Sequence, residues 1–142
     1  MKVQNIQNLE WKPNKNTLCV AAYKPQASKG EGTGKIYIIE VPSRNIIKWR
    51  TITWEFSSCD IHWDNTSNKV ILVLKKILKS KKTSTVIQVG EIKNNMVTVD
   101  EQEFPDAKVV NVDESGKKIA ILSVDPANSN FLLRNYPLTS IF

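Results

Sequence analysis

Hydrophobic and polar positions along the chain repeat with a period of about fifty residues. The three matching segments are NLEWKPNKNTLCVAAY (8–23), DIHWDNTSNKVILVLK (60–75) and VVNVDESGKKIAILSV (109–124). Each has an apolar anchor, then a polar turn, then an apolar run. The anchors are Trp11, Trp63 and Val112, with 52 residues between the first two and 49 between the last two. This pattern predicts three copies of one structural unit.

Each unit contains further strand patterns separated by short polar turns. The additional apolar segments are KIYIIEV (35–41), IIKWRTITWEF (46–56), STVIQVGEI (84–92), MVTVDEQEF (96–104) and NFLLRNY (130–136). They are rich in the β-branched and aromatic residues that favour strands, and none has helical periodicity. Four antiparallel strands are therefore predicted for each unit.

Four strands in every 40 to 50 residues are typical of a β-propeller blade. A two-sheet sandwich would also have many short strands, but the recurring anchor, turn and apolar run favour the propeller. We predict an all-β, partial WD40-like propeller of about three four-stranded antiparallel blades, which together form a single domain over residues 1–142. The blades are expected at 5–56, 57–104 and 105–142, with the last incomplete. Trp11, Trp63 and Val112 are predicted to pack as core anchors against the next blade.

Closure of such a fold needs more than three blades, because propellers typically have at least four. The chain is therefore expected either to be a piece of a larger propeller or to complete itself by association. Otherwise its end blades would present apolar faces to water.

Charge and hydropathy limit the partners and the compartment. The formal net charge of +6 and the pI of about 9.3 favour acidic partners such as nucleic acid. No apolar run is long enough to span a membrane, and the first residues lack the apolar core of a signal peptide. We expect a cytoplasmic protein in which Cys19 and Cys59 are buried, reduced thiols.

The most basic segment is LKKILKSKKTSTVI (74–87). Five lysines lie within eight residues: Lys75, Lys76, Lys79, Lys81 and Lys82. The pattern places them on a loop between the second and third strands of the second unit. The loop is predicted to bind a phosphate backbone or an acidic protein surface, or alternatively to be a solvated loop without a partner. Arg44, in a PSRN turn, could bind a phosphate or a carboxylate, or instead hold the turn locally.

The remaining candidate site residues are two further tryptophans, the histidine and the two cysteines. Trp49 and Trp54 lie on the last strand of the first unit and are predicted to be exposed, at a subunit interface. His62 is the only histidine, and it has no ligand or triad spacing to the two cysteines, so no metal site, cofactor or catalytic group is expected. The segment SKGEGTGKI departs from the phosphate-binding loop pattern and is interpreted as a flexible loop.

Several segments resemble one known family. In order along the chain they are IEVPSRNI (39–46), SSCDIHWDNTSNKVILVL (57–74) and KSKKTSTVIQVGEI (79–92). They resemble the propeller of the b subunit of eukaryotic translation initiation factor three, and VPSR and KSKKT are the most specific parts. The likeness covers nearly the whole chain and weakens after about residue 125, and Val112 stands where that family usually has a tryptophan.

The resemblance implies a non-enzymatic scaffold that contacts the small ribosomal subunit, through its RNA and proteins, and other subunits of the factor. The alternative is a propeller that binds only proteins, including the related propeller of initiation factor two A. A gating propeller of a serine peptidase is disfavoured, because the chain has no nucleophile motif.

Overall fold

The computed structural model describes residues 6–13, 16–24, 33–41, 43–64, 66–94, 96–124, 127 and 130–137. Within these residues the chain forms eleven strands and no helix. The strands are β1 (Ile6–Trp11), β2 (Thr17–Lys24), β3 (Thr33–Glu40), β4 (Asn45–Ile52), β5 (Phe56–Trp63), β6 (Lys69–Ile77), β7 (Thr83–Lys93), β8 (Met96–Phe104), β9 (Ala107–Val112), β10 (Lys118–Val124) and β11 (Phe131–Pro137). A search of the described residues for a helix able to cross a membrane finds none.

The strands form three separate antiparallel sheets. Each sheet follows the order of the chain: β1 to β4, β5 to β8, and β9 to β11. The first two sheets have four strands, and the third has three among the residues described. This arrangement confirms the predicted all-β fold of three propeller-like units, and the three sheets do not close into a ring. Most of the glycine-rich segment predicted to be a flexible loop lies outside the described residues.

The second sheet lies between the other two and is buried on both of its faces. Alternate residues of β6 belong to different cores: Val70, Leu72 and Leu74 face the first sheet, whereas Ile71 and Val73 face the third. Side chains of successive strand residues point to opposite faces, so a strand covered on both faces needs apolar residues at every position. This requirement explains the unbroken run VILVL in the sequence.

The three anchors occupy equivalent positions in their sheets. Trp11, Trp63 and Val112 are the last residues of β1, β5 and β9. The residue after each anchor closes the following turn with the same backbone hydrogen bond: Lys12 to Thr17 at 2.8 Å, Asp64 to Lys69 at 3.0 Å and Asp113 to Lys118 at 2.9 Å. The repeat in the sequence therefore corresponds to a repeat in backbone geometry.

The anchors point towards the preceding sheet, and the prediction that they pack against the next one is wrong. Trp63 is only 5% exposed, and its indole Nε1–H donates a 3.0 Å hydrogen bond to the carbonyl oxygen of Glu10 in the first sheet. Val112 is likewise buried, against the second sheet. Trp11 is 51% exposed, because no sheet precedes its own within the described residues.

Trp49 also differs from its prediction, because it is 5% exposed and lies in the core between the first two sheets. Lys48 pairs with Tyr37 and Arg50 with Ile36, which leaves Trp49 as the extra residue of a β-bulge. Bulges redirect side chains in this way. The expected exposure of Trp49 is therefore wrong, and it is not available at the surface for another subunit.

The indole of Trp49 packs directly on the backbone of Gly90. A Cβ atom at position 90 would lie 2.5 Å from the Trp49 ring. Glycine at this position is therefore required by the close approach of the two sheets. Trp54 is half-buried and stacks edge-on against Phe56, with 6.0 Å between ring centroids.

We predict that Gly90→Ala lowers the free energy of unfolding by about 1–3 kcal/mol, the usual cost of overpacking a core. Urea denaturation of the purified chain measures this change. In a Trp49→Phe background the cost of Gly90→Ala should fall, because the smaller ring leaves space for the methyl group. An equal cost in both backgrounds would show that the contact with Trp49 is not its cause.

Candidate anion-binding site at the lysine hairpin

The lysine hairpin, residues 78–82, joins β6 to β7. The N–H of Leu78 donates to the carbonyl of Lys82 at 2.8 Å, and the N–H of Lys81 donates to the carbonyl of Leu78 at 2.9 Å. Lys81 has a φ of 68°. These features match a three-residue hairpin loop, which is a type I turn followed by a residue in the left-handed region. The loop therefore presents Lys79, Lys81 and Lys82 on a defined backbone.

Only three of the five predicted lysines lie on this hairpin. Lys75 and Lys76 belong to β6, whose pairing with β7 continues to Ile77 and Thr83. Lys76 is half-buried, with Nζ 3.7 Å from Glu103 Oε1 and 5.3 Å from the centre of the Trp54 ring. The prediction that all five lysines lie on one loop is wrong, because the backbone pairing of β6 with β7 continues past Lys75 and Lys76 although their side chains are polar.

A recess of about 590 Å³ opens beside the hairpin. Its lining residues are Lys81, Lys82, Thr83, Pro105, Asp106, Lys108 and Val124. Lys108, in β9 of the third sheet, was not recognised in the sequence. It is 26 residues from Lys82 along the chain. Only the placement of the third sheet beside the second brings Lys108 to the recess.

The charge around the recess is predominantly positive. Three lysines line it, and Asp106 is the only acidic residue among the lining residues. In the described part of the chain, no carboxylate forms an ion pair with Lys79, Lys81 or Lys82. Ammonium groups held close together without counter-charges attract an anion, and phosphate oxygens are suitable acceptors.

Arg44 lies at the opposite end of the strands. Its turn joins β3 to β4 beyond the pair Glu40–Asn45, at the end of the sheet where β1 and β2 are also joined. Arg44 is exposed and has a φ of 60°. The turn is held locally by Ser43, whose Oγ donates to the Glu40 carbonyl at 3.4 Å. The structure therefore does not bring Arg44 together with the lysine hairpin.

The first strands of the three sheets form a polar groove of about 370 Å³. Its polar lining includes Asn8, Glu10, Asp60, His62 and Asn111. Burial lowers the pKa of His62, and the nearby carboxylates of Asp60 and Glu10 only partly oppose this effect. No group of three or more His, Cys, Asp or Glu residues that could hold a metal occurs among the residues described.

Both cysteines are buried in the core between the first and second sheets. Burial raises the pKa of the Cys19 thiol, and the proximity of Cys59 raises it further. Burial also raises the pKa of Cys59 to about 12, with a contribution from Asp60. Neither thiol has the thiolate character that a nucleophile needs near neutral pH.

Comparison with known proteins gives one distant relationship. No protein-family model matches the chain. The B subunit of eukaryotic translation initiation factor 3 from Aedes aegypti is 25% identical over 142 residues, an alignment that covers 92% of this chain and 20% of the relative. The chain thus spans about one fifth of the relative's length. This similarity supports a distant relationship to a small part of that protein.

We predict that Lys81→Gly leaves the free energy of unfolding unchanged or raises it by up to about 1 kcal/mol. Glycine relieves the left-handed strain of about 1–2 kcal/mol, which offsets the entropy that glycine adds to the unfolded chain. Lys79→Gly is the matched control, because Lys79 is not in the left-handed region and its replacement should cost about 0.4–1 kcal/mol. Equal effects of the two variants in urea denaturation would contradict the strain at Lys81.

Proposed function

We propose that this chain is a non-enzymatic scaffold module of translation initiation whose lysine hairpin contacts the RNA of the small ribosomal subunit. The observation that carries the proposal is the convergence of Lys81, Lys82 and Lys108 on one recess with a single acidic neighbour. The distant relationship to an initiation factor subunit supports the assignment to translation.

The backbone of the hairpin supports a binding role. Lys81 occupies a left-handed position where glycine is ordinarily preferred, at a cost of about 1–2 kcal/mol. Strained positions of this kind are found in segments that bind ligands, where they orient a side chain. Lys79 and Lys82, in the same hairpin, are exposed. The hairpin extends from β6, whose residues 70–74 are buried, and pairing with β7 continues up to Ile77 and Thr83 at its base.

The chemistry favours the phosphate backbone over the bases. Lysine ammonium groups pair with phosphate oxygens without reading sequence. Stacking of an unpaired base would require an aromatic surface, and the residues lining the recess contribute none. Binding is therefore expected to be strongly salt-dependent and nearly independent of RNA sequence.

The proposed partners also include other subunits of initiation factor three, in the cytoplasm. Arg44 would form a separate contact, because its turn is at the opposite end of the strands from the hairpin. Lys75 is exposed on β6 and could extend the basic surface, whereas Lys76 is already paired with Glu103. Trp54, half-buried beside Lys76, is the remaining candidate for a subunit contact.

The second candidate function is that of a module that binds only proteins. In this case the same lysines would bind an acidic protein surface. It predicts no affinity for RNA, so one binding experiment separates the two functions.

The test compares two triple variants that remove equal charge. Lys79→Ser/Lys81→Gly/Lys82→Ser removes the hairpin lysines, and Lys69→Ser/Lys117→Ser/Lys118→Ser removes three lysines at the other end of the strands. Binding to the protein-free RNA of the small ribosomal subunit is measured by fluorescence anisotropy between about 50 and 200 mM salt. Each lost phosphate contact should lower the slope of log affinity against log salt by about 0.7–0.9.

The hairpin variant should lose about 2–3 units of this slope, and the control variant should lose less than one. Equal losses would mean that net charge alone governs binding and would contradict a site at the hairpin. An unchanged slope in the hairpin variant would leave only the protein-binding function.

A further inference from the structure

The outer face of the first sheet is apolar and open. Backbone pairing places Trp11, Leu18, Ile39 and Ile46 in one row across the four strands, on the face away from the second sheet. Large exposed side chains on this face are Ile6, Leu9, Trp11 and Ile46. We call it the Trp11 face.

The outer face of the third sheet is also apolar and open. Pairing aligns Val109, Leu122 and Leu133 in one row, and Val124 with Phe131 in the next. Phe131 and Leu133 are each 70% exposed. This surface, the Leu133 face, lies at the opposite end of the stack of three sheets from the Trp11 face.

Contacts within the chain show how two such faces fit together. The Trp63 side of the second sheet packs against the first sheet, and the Val112 side of the third sheet packs against the second. In each contact, the side bearing the anchor meets the opposite side of the preceding sheet. The Trp11 face is the side of the first sheet that bears its anchor, and the Leu133 face is the side of the third sheet that does not bear its anchor. The two exposed faces are therefore of the same two kinds that meet in each contact between sheets within the chain.

The area of a face suggests how many contacts are needed. With strands about 4.8 Å apart and seven residues long, the four-stranded Trp11 face presents about 450 Å² and the three-stranded Leu133 face about 330 Å². Stable interfaces bury about 800 Å² on each partner. One face-to-face contact is therefore too small, but two contacts made at once reach that size.

We propose that a second copy of this chain covers these faces, with the Trp11 face of each copy against the Leu133 face of the other. Two copies make two identical contacts and close a ring of six sheets. Six lies within the range of four to eight blades known for propellers. Closure leaves no exposed end face, which limits the assembly to two chains.

The internal repeat also assigns one hydrogen bond of this contact. Trp63 donates to the carbonyl of Glu10, the residue before the anchor in β1. The equivalent residue in β9 is Asn111, which precedes Val112. The indole N–H of Trp11 is therefore expected to donate to the carbonyl of Asn111 in the second copy. The proposal is independent of the ribosomal contact, because the lysine hairpin lies at the strand ends and not on either face.

Sedimentation equilibrium over a range of protein concentrations tests this association. The wild-type chain should reach twice its mass of 16.1 kDa and no more. Trp11→Lys and Leu133→Glu should each give monomers, with circular dichroism confirming that both variants stay folded. Met96→Glu is the control, because Met96 is 69% exposed but lies at the turn between β7 and β8, away from both end faces.

Mixing the two variants distinguishes a head-to-tail contact from a symmetric one. The Trp11→Lys chain retains its Leu133 face and the Leu133→Glu chain retains its Trp11 face, so a mixed pair has one intact contact where a pair of either variant has none. An equimolar mixture should therefore associate more strongly than either variant alone and more weakly than the wild-type chain. A mixture that associates no more strongly than either variant alone, or a loss of association in only one of the two variants, would overturn the proposal. So would a wild-type chain that is monomeric at about 100 μM, or one that forms assemblies larger than two chains.

Discussion

The rest of the structure depends on burial of the second sheet between two others. Each face of β6 has its own core, so the strand must be apolar at every position from Val70 to Leu74. Neither neighbouring sheet could be removed without exposing one of these faces. The same requirement sets the spacing of the sheets, which is close enough for the Trp49 ring to rest on Gly90. Stacking of the sheets therefore determines which positions of β6 must be apolar.

This stacking also places the lysine hairpin beside the third sheet. The hairpin is a short turn on the two best-buried strands, and the next sheet contributes Lys108 to the recess beside it. Lys76, by contrast, is held by Glu103 and Trp54 at the junction of the first and second sheets. The scaffold thus separates lysines used within the fold from those directed to solvent. Exposed lysines with few internal counter-charges are suited to contact phosphate oxygens, which carry no sequence information.

Local patterns in the sequence predicted the strands, the three units and the equivalent positions of their anchors, because these depend on residues close together in the chain. Relations between sheets could not be predicted in the same way. The direction in which Trp63 points, the burial of Trp49 at a bulge and the approach of Lys108 to the hairpin all depend on how one unit packs on another. The extent of the lysine loop was misjudged because backbone pairing continues beneath charged side chains at the end of β6.

Hydrogen exchange followed by NMR tests the central claim, the burial of the second sheet on both faces, most directly. Amide protons of β6 and β7 should exchange most slowly, because they open only when both cores are lost. Those of β1 and β11, which lie at sheet edges, should exchange much faster. Exchange of β6 amides at the rate of these edge strands would contradict the stacked arrangement.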